Sequence, residues 1–396
     1  MTKKRNNDRR LRIAYLTMND PADKRSWSGT IYYIAKALQD HVGDVHFLGP
    51  VKQPWLLRKI LNVLVRLCAL FGKKKYLARH SIILGRYASA RLKRRMRKEG
   101  YDCMVAPSAS AELCFFKTSI PVIYISDTTF LLFSNYYMKD FRNVSRLTKW
   151  EGNLAERRAL QKSSLILYAS DWAAESAFTD YHISADKVSV IPFGANMDRI
   201  PQREEIFLKN NNPVLTLLYL AVEWESKGGD IALECFLHLK ETGQQVKLII
   251  CGCTPPSDLA GEDIEIIPFL NKNEESDYRK FATLLSTSHF LLLPTRADCF
   301  GVVFCEANAY GMPAITTRTG GVGTVVRDGI NGYCLSYEAR GKEYAALILS
   351  VYNDNERYAR LVESSRDRFE SDLNWEQWAE KFWQVYERHF APADHN

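Results

Sequence analysis

The chain lacks any uncharged run of about eighteen apolar residues, so no segment is expected to span a bilayer. It also lacks a C-x-x-C pair, and its nine cysteines are scattered and odd in number. That speaks against a disulfide framework and a structural zinc site, and for buried thiols in a reducing compartment. The first residues, MTKKRNNDRRLRIAYLTM, carry charge but no apolar stretch of the kind a signal peptide needs, and a cytoplasmic protein is the expectation. Acids are nearly missing from one long stretch: residues 52–99 contain fifteen Lys and Arg and the single acid Glu99, a net +14 within a chain of net +7. The remainder is therefore acidic. Such an asymmetry bears on partners rather than on fold.

What is present is ordinary globular material, 46% hydrophobic and 25% charged over 396 residues, enough for two or three domains. Short β-rich runs alternate with helical patterns. RIAYLTM (12–18), DVHFL (44–48), YDCMVAPS (101–108), PVIYISD (121–127), SSLILYAS (163–170) and KVSVIPFG (187–194) read as strands of one half. GANMDRIPQREEIFLKNNNP (194–213) breaks the rhythm with polar residues and is the linker candidate. Alternation restarts with VLTLLYLA, QVKLIICG, DIEIIPFL, HFLLLP, PAITT and GYCLS, with helices expected over 228–241, near 273–287 and from about 303. Strands separated by helices make βαβ units and parallel sheets. The expected class is α/β, two facing doubly wound Rossmann-like domains. The expected division is 1–203 and 204–372, followed by a C-terminal helix over 373–396 that returns to the first domain. In that helix Trp375, Trp378, Phe382 and Val385 fall at helical spacing.

RADCFGVVFCEANAYGMPAITTRTGG (296–321) follows the strand HFLLLP, and in parallel α/β sheets ligands bind beyond the carboxyl ends of strands. Asp298 sits on that loop. Gly301 lets backbone approach a ligand closely, and a helix starting near Val303 offers free N–H groups and a positive dipole end. Glu306 is expected in its first turn. The interval lets Asp298 address one end of an extended ligand and Glu306 another part, and a sugar nucleotide has that shape. The same pattern also suits a loop acid followed by a helix-capping glutamate.

At these residues the sequence resembles the family 4 (group 1) glycosyltransferases, retaining enzymes with the GT-B fold. The Asp298-x7-Glu306 arrangement, EANAYGMPAITT and the TGG that follows look like the family's signature region. SKGGDIALECF resembles its Lys-Gly segment, SDWAAESAF with KVSVIPFGANMD its interdomain approach, and SWSGT its first glycine loop. The resemblance covers nearly the whole chain. It implies that Lys227 contacts a diphosphate and that Asp298 holds hydroxyls of the transferred sugar. It implies that backbone N–H groups near Phe300, Gly301 and Val302 help hold sugar and phosphate, and that Glu306 accepts from ribose hydroxyls. Gly29 would let the acceptor loop approach the phosphate. Asp127, ending PVIYIS, occupies a region where many members place a histidine near the donor sugar. Asp127, Lys227 and Asp298 are thus the catalytic candidates. The sequence departs from the family in having Asp298 where glutamate is usual, Val222 and Ser226 where an arginine is often found, and Thr324 where a glutamate is common. The second phosphate cation is open, with Arg296 and Arg318 as candidates.

No D-x-D motif appears, so departure of the nucleotide diphosphate is expected to rest on Lys227 and the helix N-terminus at about Val303. Neither metal nor cofactor is expected; the donor, a UDP- or GDP-hexose, is a co-substrate. The resemblance implies retention, with a donor phosphate oxygen assisting acceptor deprotonation, and domain motion on closing the cleft. Plainer readings stand beside these. Lys227 also reads as a solvated lysine at a helix start, Asp127 as the N-cap before TTFLLF, and Gly320-Gly321 as a turn. Cys251 and Cys253 read as packing residues.

PWLLRKILNVLVRLCALFGKKK places Arg58, Lys59, Asn62 and Arg66 on one helical side and a broad apolar face opposite, and RLKRRMRKEG adds cations. This reads as a membrane-surface element drawn to anionic headgroups. The alternative is a core-packed helix with a solvated face. Few aromatics and no recognised module argue against nucleic acid. The expectation is a cytoplasmic enzyme, peripheral on the inner face of the membrane, that moves a hexose from a nucleotide sugar to a lipid-linked or growing glycan. Two alternatives stay open: a nucleotide-sugar epimerase of related two-domain fold, and a non-catalytic protein that binds sugar nucleotides or an anionic surface.

Overall fold

The computed structural model describes residues 10–390 apart from 52, 73, 97–99, 138–142, 207–213, 257, 258 and 260. Lys52, Lys73 and 97–99 of the basic segment, and 207–213 of the expected linker, lie outside the described residues. The chain forms two compact units, residues 1–191 with 379–396, and residues 192–378.

The first unit holds six parallel strands: β1 (Leu11–Tyr15), β2 (Gly43–Phe47), β3 (Cys103–Pro107), β4 (Val122–Ser126), β5 (Leu165–Tyr168) and β6 (Val188–Val190). Their order across the sheet is β2-β1-β3-β4-β5-β6. Every residue of β3, β4 and β5 is buried. Helices cover a parallel sheet on both faces, so its strands read as continuous apolar runs rather than alternating ones. The second unit repeats the scheme with β7 (Leu215–Leu220), β8 (Val246–Cys251), β9 (Ile264–Ile267), β10 (Phe290–Leu293), β11 (Ala314–Thr317) and β12 (Gly332–Leu335), in the order β12-β11-β10-β7-β8-β9. All the strands expected from the sequence are present, with ends that differ from the expected runs by a few residues.

Each sheet reverses its strand order once, between β1 and β3 in the first unit and between β7 and β10 in the second. At such a point successive crossovers leave on opposite faces, and the loops beyond the carboxyl ends part to form a crevice.

The helix Trp55–Gly72 divides its apolar residues. Leu57 and Leu61 are buried with Leu84 in a small cluster of their own. Leu56, Ile60, Val63, Leu67, Leu70 and Phe71 are exposed, Phe71 by 86%. Arg58, Lys59, Asn62 and Arg66 are exposed as well. The core-packed alternative therefore accounts for one apolar strip and leaves a second without cover among the described residues. No helix among these residues is long and apolar enough to cross a membrane. In the C-terminal helix Trp375–Phe390, Trp378 and Phe382 are fully buried, as their spacing anticipated.

Candidate functional site

In the second unit two loops meet at the switch point. The loop after β7 is shaped by Trp224, whose carbonyl accepts from the Tyr219 hydroxyl at 3.1 Å and whose ring lies 5.4 Å from the Tyr219 ring. It ends at Gly228, which has φ +71° and precedes the helix Gly229–Glu241. A Cβ at Gly228 would stand 2.0 Å from the Pro294 carbonyl oxygen, so only glycine lets this loop lie against the end of β10. The contact is stitched by Arg296 N and Ala297 N, which donate to Ser226 O at 2.9 and 3.2 Å. Lys227 is thereby carried across the switch point. Its ammonium donates to Asp298 Oδ2 at 2.7 Å and to Ala297 O at 2.8 Å. The two side chains are only 17% and 14% exposed. Lys227 is not a solvated lysine at a helix start.

Asp298 is held in turn. Its carbonyl accepts from Gly321 N at 3.2 Å, and Phe300 N approaches Oδ1 at 3.4 Å. The glycine pair that followed the helix in sequence therefore closes back on the acid loop. Phe300 is buried against Phe193, ring centroids 5.3 Å apart, so it contributes backbone rather than side chain to any ligand. Gly301 takes φ +87°, and a Cβ there would strike the Phe304 ring at 2.4 Å. The glycine is thus required by packing within the chain itself.

The expectation for Glu306 needs correction. The helix runs Val302–Ala309 with Gly301 as its N-cap, and its first turn holds no acid. Glu306 lies one turn further in, where it cannot cap the helix. It is buried, and its carboxylate accepts from Lys272 Nζ at 2.6 Å. Burial pushes its pKa up, opposed by the charge and hydrogen bond of Lys272. Lys272, on the loop between β9 and the helix Glu275–Thr287, escaped the sequence reading. A lone lysine among asparagines carries no local signal, and only its place at the carboxyl end of a strand pointed there.

The two arginines turn to other partners. The Arg296 guanidinium stacks 3.6 Å from the centroid of the Tyr337 ring and donates to the Tyr337 carbonyl. Its Nη1 is buried without a hydrogen-bond partner. Arg318 pairs with Asp328 at an exposed position.

In the first unit, Trp27, Ser28 and Gly29 are three successive residues in the left-handed region, with φ of 50°, 54° and 90°. Two are not glycine, and such backbone persists only where its surroundings impose it. The turn leads into the helix Thr30–His41 and aims the Trp27 indole, whose Nε1 donates to Asp127 Oδ2 at 2.9 Å. The reading of Asp127 as an N-cap is corrected: Thr129 caps the helix Phe130–Tyr136 by accepting from Leu132 N. Asp127 and Gly29 thus stand beyond the carboxyl ends of β4 and β1, joined through Trp27. Among the described residues, no group of three or more His, Cys, Asp or Glu is placed to hold a metal ion.

The model of the family "Glycosyltransferase Family 4" matches residues 29–199, and that of "Glycosyl transferases group 1" matches residues 200–368. A D-inositol 3-phosphate glycosyltransferase of Xylanimonas cellulosilytica is 23% identical over 235 residues, 54% of this chain and 54% of that protein. The chain spans about half the length of the curated relatives it matches. A sucrose-phosphate synthase of Thermosynechococcus elongatus superposes with a TM-score of 0.67 at 17% identity, over 96% of this chain and all of that one. The Anabaena protein HepE, solved in complex with UDP-glucose, superposes with a TM-score of 0.60 at 16% identity, over 96% of this chain and all of that one. These likenesses establish the fold as GT-B, two Rossmann-like domains. With its two halves matched by the two family models, the chain belongs to the family 4, group 1 glycosyltransferases.

Proposed function

We propose that this chain transfers a hexose from a UDP- or GDP-sugar to a lipid-linked or growing glycan, with retention of configuration and without a metal. The observation that carries the reading is the Lys227–Asp298 pair at the switch point of the second sheet, a cation for diphosphate beside an acid for sugar hydroxyls. Lys227 neutralises charge on the departing nucleotide diphosphate, and the N–H groups at the start of the helix Val302–Ala309 add to it. Backbone at Phe300, Gly301 and Val302 supports sugar and phosphate. Asp298 orients the transferred sugar, and Glu306 accepts from the ribose hydroxyls. The bond from the anomeric carbon to the diphosphate oxygen breaks. The acceptor oxygen bonds to that carbon on the same face, and its proton passes to a donor phosphate oxygen. Arg296 is preferred to Arg318 as second cation, because its buried Nη1 is a donor that a phosphate oxygen would satisfy. Gly29 is assigned to donor binding and Asp127 to catalysis near the donor sugar. The UDP-glucose held by the Anabaena protein supports a uridine donor.

The test is a thermal-shift screen of nucleotide sugars, followed by hydrolysis of the best binder and transfer to a glycan acceptor. A true donor at a hundred times its Kd stabilises by about 2.7 kcal/mol. Release of nucleotide diphosphate and a product with the donor's anomeric configuration support the reading. Isomerised donor without acceptor would make the chain an epimerase, and binding without release would make it a binding protein.

The exposed apolar residues of the helix Trp55–Gly72, with Arg58, Lys59 and Arg66 beside them, support a lipid-borne acceptor met at an anionic membrane surface on the cytoplasmic side. Vesicle flotation tests this part. Recovery with anionic but not neutral vesicles, reversed by salt and abolished by Leu70→Glu with Phe71→Glu, supports it. Equal recovery with both lipids contradicts it.

A further inference from the structure

The loop after β9 fixes Lys272 through three contacts. Asn271 N donates to Asp277 Oδ2 at 2.8 Å, the Lys272 ammonium stands 4.2 Å from the centroid of the Phe281 ring, and it donates to Glu306 Oε1 at 2.6 Å. Holding a long lysine side chain in one place costs rotamer entropy, so something must offset it. The offset lies at Glu306, whose side chain is 5% exposed. The other titratable groups bearing on that carboxyl are Tyr278 on the helix Glu275–Thr287, Cys305 on the helix Val302–Ala309, and Tyr310 just beyond it. Burial keeps all three neutral. Lys272 is the cation that acts on Glu306 among the described residues.

Resting on the reading of Glu306 as the ribose acceptor, we propose that Lys272 is a positioning residue for nucleotide recognition: seated on Phe281, it occupies Oε1 of Glu306 and fixes the carboxylate so that Oε2 receives the ribose hydroxyls. Without the ammonium, burial acts unopposed and the carboxyl takes up a proton at a higher pH. A protonated carboxyl offers a donor where the ribose needs an acceptor. Removing Lys272 therefore moves the loss of nucleotide binding to a higher pH.

The experiment is calorimetric titration of the full chain with UDP and with GDP between about pH 5 and 8.5, for wild type, Lys272→Met, Lys272→Arg and Glu306→Ala. Glu306→Ala weakens binding of the preferred nucleotide throughout. Lys272→Met weakens it at low pH, by up to about tenfold per pH unit below the carboxyl pKa, and recovers as pH rises. Lys272→Arg restores the wild-type profile. A Glu306→Ala variant with wild-type affinity, or binding of neither nucleotide, overturns the ribose reading and this inference with it. If Glu306→Ala weakens binding but Lys272→Met matches wild type, or is weakened equally at every pH, the role of Lys272 alone is overturned. Melting without ligand gives a second readout. A folded pKa raised further yields stability that is present at low pH and lost as pH rises. Lys272→Met should thus melt progressively below wild type as pH increases, and adding Glu306→Gln should remove that trend. A constant gap across pH overturns the inference.

Discussion

Lys227 Nζ and Asp298 Oδ2 lie 2.7 Å apart where the second sheet reverses its strand order. Neither loop alone would bring them together: the Gly228 turn and the Ser226 carbonyl draw the two segments into register. Lys227→Ala should weaken nucleotide-diphosphate binding by ~1.5–3 kcal/mol, the worth of one charge-assisted hydrogen bond. Calorimetry with UDP and GDP measures this, with circular dichroism to establish folding. A folded variant with wild-type affinity and turnover would remove Lys227 from the site.

Gly228 and Gly243 both have positive φ, +71° and +81°, but only Gly228 has a neighbour within 4 Å of a Cβ. Gly243→Ala should cost about 1 kcal/mol for the left-handed backbone alone. Gly228→Ala must also displace Pro294, so it should cost at least ~2–3 kcal/mol and weaken nucleotide binding by moving Lys227. Urea unfolding of the pair measures the difference. Equal costs would mean that the two loops are not locked together.

Glu156 lies fully buried in the first unit and meets the Tyr124 hydroxyl with both oxygens at 3.2 Å. Burial pushes its pKa up to about 7. Because that value is raised above the unfolded one, the contribution to stability is full below about pH 4.5 and is lost as pH rises through about 7. Glu112, with the same rise to about 7, acts in the same sense. His80, lowered to about 3, acts in the opposite sense at acid pH. Glu156→Gln should therefore gain on wild type as pH rises, by about 3 kcal/mol at pH 8. Parallel melting curves across pH would show that Glu156 does not titrate with folding.

The strands could be read from the sequence because fully buried parallel strands are unbroken apolar runs, as in Val122–Ser126 and Phe290–Leu293. The Asp298–Glu306 interval was legible for a different reason: it is a family pattern, and the pattern survives an aspartate in place of glutamate. The depth of Glu306 was not legible. A helix start is uncertain by a residue or two from sequence, and here the left-handed Gly301 sets it at Val302, which sends Glu306 inward instead of to the first turn. Partners set by the fold rather than by spacing were also hidden. Lys272 meets Glu306 across 34 positions, and Trp27 meets Asp127 across 100. Asp127 looked like a helix cap because a cap one or two residues later gives nearly the same local sequence. The breadth of the apolar face on the helix Trp55–Gly72 was visible, but which strip finds a partner depends on Leu84, supplied by another helix.

The account centres on a division of labour between Asp298 and Glu306, and the most direct measurement compares Asp298→Ala with Glu306→Ala. Affinity for the nucleotide diphosphate is measured by calorimetry, and transfer by steady-state kinetics, on folded variants. Glu306→Ala should lose affinity for both donor and free nucleotide diphosphate. Asp298→Ala should keep nucleotide-diphosphate affinity and lose transfer, because the sugar is no longer held in the reactive orientation. Equal loss of nucleotide affinity in both variants, or in neither, would contradict the assignment of one acid to the sugar and the other to the ribose.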